Sequence, residues 1–302
     1  MTQFSNLTIG AAGENRSAEM KEDTTSKSRG NLKKAVFFVI FFVIFFRLHY
    51  AQSVPQIEGE VVFSNKDVVF HRIDNHTWIG TGNLMFSESL YIVEGDDKAV
   101  LIDAGTKIAD LDKIVASITS KPVTLVATHV HPDHTGSAIN YYPAIWINPG
   151  DTTLVPSIMG DYKGEINFLK DGEILELGGR QLEVVFTPGH TPGSVTFIDT
   201  KAGYGFSGDA FGSGNLLLGV DFSTLIATCR KMETVMQNNN IKYLYPGHFY
   251  GSNLETLQRI RDLITLSEDV MSRRIAGKPN QYGGLVVNNY GVNIVYYEQQ
   301  VK

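Results

Sequence analysis

One short segment carries most of the chemistry that this sequence can perform. Thr128-His129-Val130-His131-Pro132-Asp133-His134-Thr135-Gly136 places three imidazoles and one carboxylate within six positions, directly after the apolar run 123–127. Side chains of these types can hold two metal ions side by side, and bound metal ions make hydroxide available at neutral pH. No helix, strand or cap requires these residues at this spacing. The segment therefore predicts a metal-dependent hydrolase.

Three further motifs supply more ligand-type side chains. They are Thr187-Pro188-Gly189-His190, Phe206-Ser207-Gly208-Asp209 and Tyr245-Pro246-Gly247-His248. Each lies at the end of a predicted strand or in a turn, where a rigid scaffold commonly presents functional residues. A lone histidine in such a loop is more often an ordinary hydrogen-bonded residue, but the first cluster changes that expectation. We therefore predict that His190, Asp209 and His248 are metal ligands.

The remaining candidates for chemistry lack this context. His71 and His76 belong to no motif, and we expect them to be ordinary surface or core residues. Cys229 is the single cysteine and cannot form an intramolecular disulfide. Since it falls in a predicted helix, we expect a buried, unreactive thiol.

The ligand motifs follow apolar runs that predict strands. Runs 89–93 and 99–102 predict a hairpin, 108–118 a helix, and 123–127 a buried strand that ends at the histidine cluster. Residues 174–186 and 194–206 predict two more hairpins, followed by helix 222–237, strand 242–245 and a last hairpin at 285–297. A capping box of Ser252 and Glu255 predicts a long helix from Asn253 to about Ile275. Alternating strands and helices favour an α/β arrangement, and the hairpins argue against a purely parallel sheet.

Residues 60–250 resemble the metallo-β-lactamase-fold superfamily of hydrolases, because the motifs HxHxDH, GH, GD and GH occur in that order. The resemblance implies an α+β fold: a four-layer αββα sandwich of two mixed sheets flanked by helices, with the metals at one edge of the sheets. It also implies a role for each motif residue. The first metal would be bound by His129, His131 and His190, the second by Asp133, His134 and His248, and Asp209 would bridge the two. Asp103 resembles a family aspartate that supports the ligand loop without touching metal.

The ligand types indicate the metal and the chemistry. Imidazole and carboxylate suit two Zn²⁺ ions, with iron or manganese as alternatives. A hydroxide between the ions would be the nucleophile, since metal binding lowers the pKa of water from about 15.7 to about 7. Asp133 would orient that hydroxide and accept a proton. Tyr250 could donate a hydrogen bond to a tetrahedral intermediate, and aromatic packing is the alternative role for its ring.

The substrate is predicted only as a class. A bridging aspartate resembles glyoxalase II and the acyl-homoserine lactonases, whereas the most similar β-lactamases carry Cys or Ser in place of Asp209. We expect a small-molecule ester, lactone or thioester. A phosphodiesterase, a β-lactamase and a non-catalytic metal-binding protein are the alternatives. The net charge of −6 and the lack of a long basic block argue against nucleic acid.

Residues 1–53 resemble a targeting segment. A polar stretch, 1–34, ends in Lys33-Lys34 and precedes twelve apolar residues, 35–46, which are fewer than the about 20 of a membrane span. With a small-x-small site at Ala51-Gln52-Ser53, they predict a signal peptide and a periplasmic or secreted protein. The true start would be Met20. An uncleaved membrane anchor through residues 35–50 is the alternative. Residues 54–302 are predicted to form a single hydrolase domain.

Overall fold

The computed structural model describes residues 57–281 and 283–302. The leader, signal-peptide and membrane-anchor predictions for residues 1–53 lie outside these ranges. Within the described ranges, no helix combines the length and the apolar character needed to cross a membrane.

The first sheet has eight strands that lie side by side in chain order. They are β1 (Val61–Ser64), β2 (Val68–Asp74), β3 (Thr77–Gly82), β4 (Ser89–Glu94), β5 (Ala99–Ile102), β6 (Val123–Val126), β7 (Ala144–Ile147) and β8 (Glu165–Phe168). Strands β1 to β5 pair antiparallel, and β5 to β8 pair parallel. The predicted hairpin at 89–102 is β4–β5 and is confirmed.

Helix α1 (Leu111–Ile118) provides the crossover from β5 to β6 and buries Leu111, Ile114 and Val115 at the predicted spacing. The sequence predicted that it begins near Ile108. It begins later because Asp110, the residue before it, adopts a left-handed backbone with φ 53°. The other helical segments of this half are short: α2 (Val155–Ile158) and the 3₁₀ turns Ser137–Tyr141 and Pro149–Asp151.

The second sheet has six strands and shares one feature of connectivity with the first. Its strands are β9 (Ile174–Glu176), β10 (Gln181–Phe186), β11 (Val195–Asp199), β12 (Tyr204–Gly208), β14 (Tyr243–Pro246) and β15 (Glu255–Thr256), in the order β15-β14-β12-β11-β10-β9. As in the first sheet, a helix, α3 (Phe222–Asn238), joins two parallel strands, β12 and β14. The predicted β9–β10 hairpin is confirmed, and its turn uses Gly178 and Gly179 at φ 85° and 65°.

The C-terminal hairpin and two short strands form a small third sheet. Its order is β13-β18-β17-β16, with β13 at Leu216–Leu217, β16 at Lys278–Pro279, β17 at Leu285–Asn289 and β18 at Val292–Tyr296. Tyr290 and Gly291 turn the hairpin with φ 54° and 74°. Positive φ at both central residues matches the right-handed twist of the strands. A last 3₁₀ turn, Glu298–Gln300, ends the described chain.

The two main sheets pack face to face, and helices cover their outer faces. Adjacent side chains of β3 pack on opposite faces of the first sheet. Ile79 packs between the two sheets, and Trp78 packs on the outer side with α1. Helices α3 and α4 (Leu257–Met271) cover the second sheet. Strands covered on both faces are apolar at nearly every position. The architecture is therefore the αββα sandwich of mixed sheets that the resemblance implied.

The start of helix α4 differs from the prediction. Ser252 and Glu255 do not form its capping box; α4 begins at Leu257, after an N-cap at Thr256, and ends at Met271. Glu255 instead belongs to strand β15, where it pairs with Leu244. Burial decides this outcome, because the carboxylate of Glu255 lies in the interior and contacts groups distant in sequence.

A buried guanidinium joins the two sheets at their turns. Arg180 Nε donates to Asp199 Oδ2 at 2.6 Å, and Arg180 Nη1 donates to the carbonyl oxygens of His76 and Glu94. We expect Arg180→Ala to lower the free energy of unfolding by about 3–5 kcal/mol, since it leaves the buried Asp199 charge without its partner. Equilibrium denaturation in urea measures this loss.

Arg230→Ala is the matched control. Arg230 contacts Glu268 at the same distance, 2.6 Å, but both side chains are exposed. An exposed pair contributes about 1 kcal/mol or less. Equal losses in the two variants would show that burial of the Arg180 pair is unimportant.

Candidate metal centre

The HxHxDH segment forms a tight loop at the carboxyl end of β6. The backbone N–H groups of His134 and Thr135 both donate to the carbonyl oxygen of His131, at 3.0 and 2.8 Å, and turn the chain back on itself. Gly136 closes the loop, because a Cβ there would lie 2.0 Å from the carbonyl oxygen of Thr106. The loop therefore presents its four ligand-type side chains from one compact turn.

Three histidines form the first ligand set. His131 Nδ1 lies 3.1 Å from His129 Nε2 and 2.9 Å from His190 Nε2. His190 comes from the loop after β10, and its Nδ1–H donates to the carbonyl oxygen of Leu217 at 2.8 Å. This hydrogen bond leaves the Nε2 lone pair for a ligand role. With metal–nitrogen bonds of about 2.0–2.1 Å, nitrogens on one ion lie roughly 3 Å apart, so the set has the spacing of a metal site.

Asp133, His134 and His248 form the second set. His248 Nε2 lies 3.3 Å from Asp133 Oδ2, and His134 Nε2 lies 3.8 Å from the same oxygen. His248 follows β14, and its Nδ1–H donates to the carbonyl oxygen of Phe86 at 3.3 Å. As in the first set, the backbone contact turns Nε2 toward the centre.

Asp209 lies between the two sets. Its Oδ2 is 3.9 Å from His190 Nε2 in the first set, and 3.7 and 3.3 Å from Nε2 of His134 and His248 in the second. Its other oxygen, Oδ1, accepts a hydrogen bond from Ser213 Oγ at 2.9 Å. One oxygen of a single carboxylate thus faces both sets.

The donor atoms themselves indicate a bound cation. Asp133 Oδ1 is buried without a hydrogen-bond partner, and Asp133 Oδ2 and His134 Nε2 are buried 3.3–3.8 Å from other ligand-type atoms. Buried polar atoms without partners are costly, and charged ones especially so. The ligand atoms form three groups, and the atoms of each group lie within 4.8 Å of one another. The groups are His129–His131–His190, His129–His134–Asp209 and Asp133–His134–His248. The seven predicted ligands are brought together, and they fit two metal ions.

Burial and neighbouring charges separate the two sets in protonation. Burial, assisted by His190, lowers the pKa of His131 to about 3, and burial with neighbouring imidazoles also lowers the pKa of His129. Burial also acts to lower the pKa of His248, but the carboxylates of Asp209 and Asp133 outweigh it and raise that pKa to about 10. In the metal-free protein at neutral pH, His129 and His131 are therefore neutral and His248 carries a proton.

Metal binding is expected to release more protons in the second of its two steps. The lowered pKa values of His129 and His131, about 3 for His131, mean that an ion entering the first set displaces no proton from these two rings at pH 7. An ion entering the second set must displace the protons of His248, whose pKa is about 10, and of His134, whose pKa the carboxylates of Asp133 and Asp103 raise against its burial, so affinity there should rise with pH. Calorimetric titration in buffers of different ionisation enthalpy counts the released protons. His248→Ala should reduce the pH dependence of the second step, because His134 still releases its proton there, and equal release in both steps would contradict the assignment.

Asp103 supports the ligand loop, in the role that the resemblance implied. Its buried carboxylate accepts from the backbone N–H of Thr128 at 2.7 Å, from Thr128 Oγ1 at 2.8 Å and from His134 Nδ1–H at 2.8 Å. It therefore fixes the ring of His134 with Nε2 toward the centre.

The sequence prediction missed Asp151. Its buried Oδ2 accepts from the backbone N–H of Val130 and from Thr191 Oγ1, both at 2.9 Å, and its Oδ1 accepts from the N–H of Gly193 at 2.7 Å. Val130 lies between two ligand histidines, and Thr191 follows His190, so Asp151 ties the two loops of the first set together. The available signal was an aspartate in an Asn-Pro-Gly-Asp turn after β7, the same position relative to a strand as the recognised motifs.

The remaining candidates are not members of the ligand groups. His71 is on β2, and His76 is an exposed turn residue that contacts Glu94 at 3.2 Å. Cys229 is a buried free cysteine, as predicted, and burial raises the pKa of its thiol. Tyr250 is partly buried, and its hydroxyl lies beside Gly214 in the loop after Asp209, where an added Cβ would be 3.3 Å away.

Several proteins whose names describe enzymes are similar to this chain in sequence. Human "Acyl-coenzyme A thioesterase MBLAC2" is 25% identical over 213 residues, which cover 57% of this chain and 76% of the relative. "Hydroxyacylglutathione hydrolase GloC" of Haemophilus influenzae is 28% identical, covering 48% and 78%. Bovine mitochondrial "Persulfide dioxygenase ETHE1" is 30% identical, covering 61% and 75%.

A solved structure and a family model complete the comparison. The metallo-beta-lactamase of Erythrobacter litoralis, crystallised with beta-mercaptoethanol in its active site, matches with a TM-score of 0.55 and 21% identity, over 70% of this chain and 100% of that one. This likeness shows the fold. The model of the metallo-beta-lactamase superfamily matches residues 85–248, which is more than half of the chain and includes all seven ligand-type residues. The chain therefore belongs to the metallo-beta-lactamase superfamily.

Proposed function

We propose that this protein is a dinuclear zinc hydrolase that cleaves the acyl C–S bond of a small-molecule thioester, or the acyl C–O bond of an ester or lactone, to give a carboxylate and a thiol or alcohol. The observation that carries the proposal is the position of Asp209 Oδ2 between two ligand sets, 3.9 Å from His190 in the first and 3.3 Å from His248 in the second. His129, His131 and His190 would hold one ion, Asp133, His134 and His248 the other, and Asp209 would contact both. Iron and manganese are the alternative metals.

The bound metals would supply hydroxide at neutral pH and polarise the scissile carbonyl oxygen. The chain's own residues would position the metals and the attacking water. Asp133 stays ionised at neutral pH, because the charges of His134 and His248 outweigh its burial and lower its pKa to about 2. Its Oδ2 lies near His248, which leaves Oδ1 to orient the attacking water and receive its proton.

Two relatives favour the thioester among the carbonyl substrates. Acyl-coenzyme A and hydroxyacylglutathione, the substrates in their printed names, are both thioesters. The chain's negative net charge, −6, and its ligand set suit a small-molecule substrate rather than a nucleic acid.

A substrate panel tests this proposal. Protein stripped with a chelator is reloaded with zinc, iron or manganese and assayed with an acyl-coenzyme A, an S-acylglutathione, a lactone, a β-lactam and an activated phosphodiester. We expect chelator-sensitive turnover with the highest kcat/KM on a thioester. Faster phosphodiester or β-lactam cleavage would establish one of the two alternative hydrolases. Metal uptake without turnover of any substrate would indicate a non-catalytic metal-binding protein.

The name of one relative calls for an additional assay. The bovine relative is named for persulfide oxidation, so the iron-loaded protein is also assayed for oxygen uptake with a persulfide. Oxygen uptake without hydrolysis of any panel substrate would overturn the hydrolase proposal.

Tyr250 is proposed as a hydrogen-bond donor to the tetrahedral intermediate. Tyr250→Phe keeps the ring and removes the hydroxyl, and loss of one such donor lowers kcat by about 10²-fold or more. Steady-state kinetics of the variant on the best panel substrate measure this effect. An unchanged kcat would leave the ring with a packing role only.

We also propose that the mature protein acts in the periplasm or outside the cell, after removal of residues 1–53. Terminal peptide mapping of the precursor and the mature protein tests this. Peptides from residues 1–19 would contradict a start at Met20, and a mature chain that retains residues 35–50 would indicate a membrane anchor.

A further inference from the structure

The loop after Asp209 has an unusual backbone. Gly212, Ser213 and Gly214 all lie in the left-handed region, with φ of 97°, 46° and 119°. Glycine adopts such φ values without steric cost, but a residue with a Cβ rarely does. Ser213 is therefore held in an unfavourable conformation that the surrounding contacts must stabilise.

Ser213 uses all of its polar groups to hold this position. Its Oγ donates to Asp209 Oδ1 at 2.9 Å and accepts from the backbone N–H of His248 at 3.3 Å. Its own N–H donates to Glu255 Oε1 at 3.0 Å, and its carbonyl oxygen accepts from Asn253 Nδ2 at 3.1 Å. A single hydroxyl thus connects the shared carboxylate to the backbone of a ligand in the second set.

A buried ion pair fixes the loop from behind. Glu255 is fully buried, and its Oε2 pairs with Arg259 Nε. Arg259 Nη2 in turn donates to the carbonyl oxygen of Phe211 at 3.2 Å. Glu255 and Arg259 therefore hold the backbone of the loop at Ser213 and at Phe211. These contacts restrict the position from which the Ser213 hydroxyl reaches Asp209.

We propose that Ser213 is the positioning residue that sets the rotation of the Asp209 carboxylate, so that Oδ2 faces both ligand sets. The terminal torsion of an aspartate is soft and roughly two-fold. Without a partner on Oδ1, the carboxylate can rotate and offer both oxygens to one ion. The inference deepens the proposed dinuclear function and rests on it.

Loss of the Ser213 hydroxyl should weaken the second ion selectively. Groups that orient a metal ligand commonly change affinity or activity by about 10–100-fold when removed. We expect that loss for the ion held by Asp133, His134 and His248, with a lower kcat and a nearly unchanged KM. Ser213 Oγ also accepts from the backbone N–H of His248 in the second set, so the three-histidine set should keep more of its affinity.

Ser213→Ala and Ser213→Gly separate the hydroxyl from the backbone. Both remove the hydroxyl, but glycine also relieves the cost of the left-handed conformation, so its thermal stability should exceed that of the alanine variant. If the hydroxyl positions Asp209, both variants lose second-ion affinity equally. Wild-type affinity in Ser213→Gly would show that only the backbone matters and would overturn the proposal. Ser117→Ala, which removes a hydroxyl from the exposed side of α1, is the control and should bind both ions normally.

Zinc binding is measured by stepwise competition with a chromophoric chelator and by metal analysis after dialysis, without any substrate. A wild type that binds two ions but hydrolyses nothing overturns the proposed function and leaves the Ser213 inference to be judged by affinity alone. A fully active wild type whose Ser213→Ala variant keeps both affinities overturns the inference and leaves the function intact.

Discussion

Asp209→Ala is expected to lower kcat by at least about 10³-fold and to lose metal at the same time. Metal ions contribute several kcal/mol of transition-state stabilisation, and about 4 kcal/mol corresponds to this factor. Asp209 Oδ2 lies within 3.9 Å of candidate ligand nitrogens from both sets, so the substitution removes a carboxylate that both sets share. Steady-state kinetics and metal analysis of the same protein sample measure both losses.

Two variants control this experiment. His131→Ala removes a ligand of the first set only and should lose one ion first, together with activity. Asp262→Ala removes an exposed carboxylate of α4 and should leave metal content and kcat unchanged. Retained turnover by Asp209→Ala with full metal content would refute the shared-ligand role.

Asp151→Ala is expected to weaken the first ion by about 10–100-fold and to destabilise the fold. The substitution removes the acceptor for the N–H groups of Val130 and Gly193 and for the hydroxyl of Thr191. Each buried donor without a partner costs about 1–3 kcal/mol. Stepwise zinc titration and urea denaturation measure the two effects.

Asp151→Asn is expected to weaken the first ion less than Asp151→Ala does, and it tests which of the Asp151 hydrogen bonds matter. Its single carbonyl oxygen can replace Oδ2 and keep Val130 and Thr191 as donors, whereas its amide nitrogen cannot accept from Gly193. The asparagine variant should therefore retain more first-ion affinity than the alanine variant. Loss of the second ion instead of the first would show that Asp151 does not act through the His190 loop.

Local patterns were sufficient to identify the candidate ligands that the fold brings together, and most helices and strands. HxHxDH was recognisable because four chemically matched side chains fall within six residues, and His190, Asp209 and His248 stand beside Gly or Pro at predicted strand ends. The hairpins were equally legible, since apolar runs flank turn residues such as Gly178 and Gly179, whose positive φ the turn requires.

The prediction failed where a residue's role depends on partners distant in sequence. Ser252 and Glu255 have the spacing of a capping box, yet Glu255 is a buried strand residue that pairs with Arg259 and holds Ser213. A capping motif describes only what a local segment can do, and burial of Glu255 against the 211–215 loop outweighs that preference.

The sequence alone determined which side chains are candidate metal ligands and at which strand ends they lie, because ligand chemistry depends on residue type and on short spacings. Only the tertiary structure decided how those ligands are held. Asp103, Asp151 and Ser213 orient ligands through hydrogen bonds that link separate loops, and their partners become neighbours only when the two sheets pack together. An isolated aspartate or serine in a turn has many ordinary uses, so its contribution to the metal centre follows from packing and not from sequence spacing.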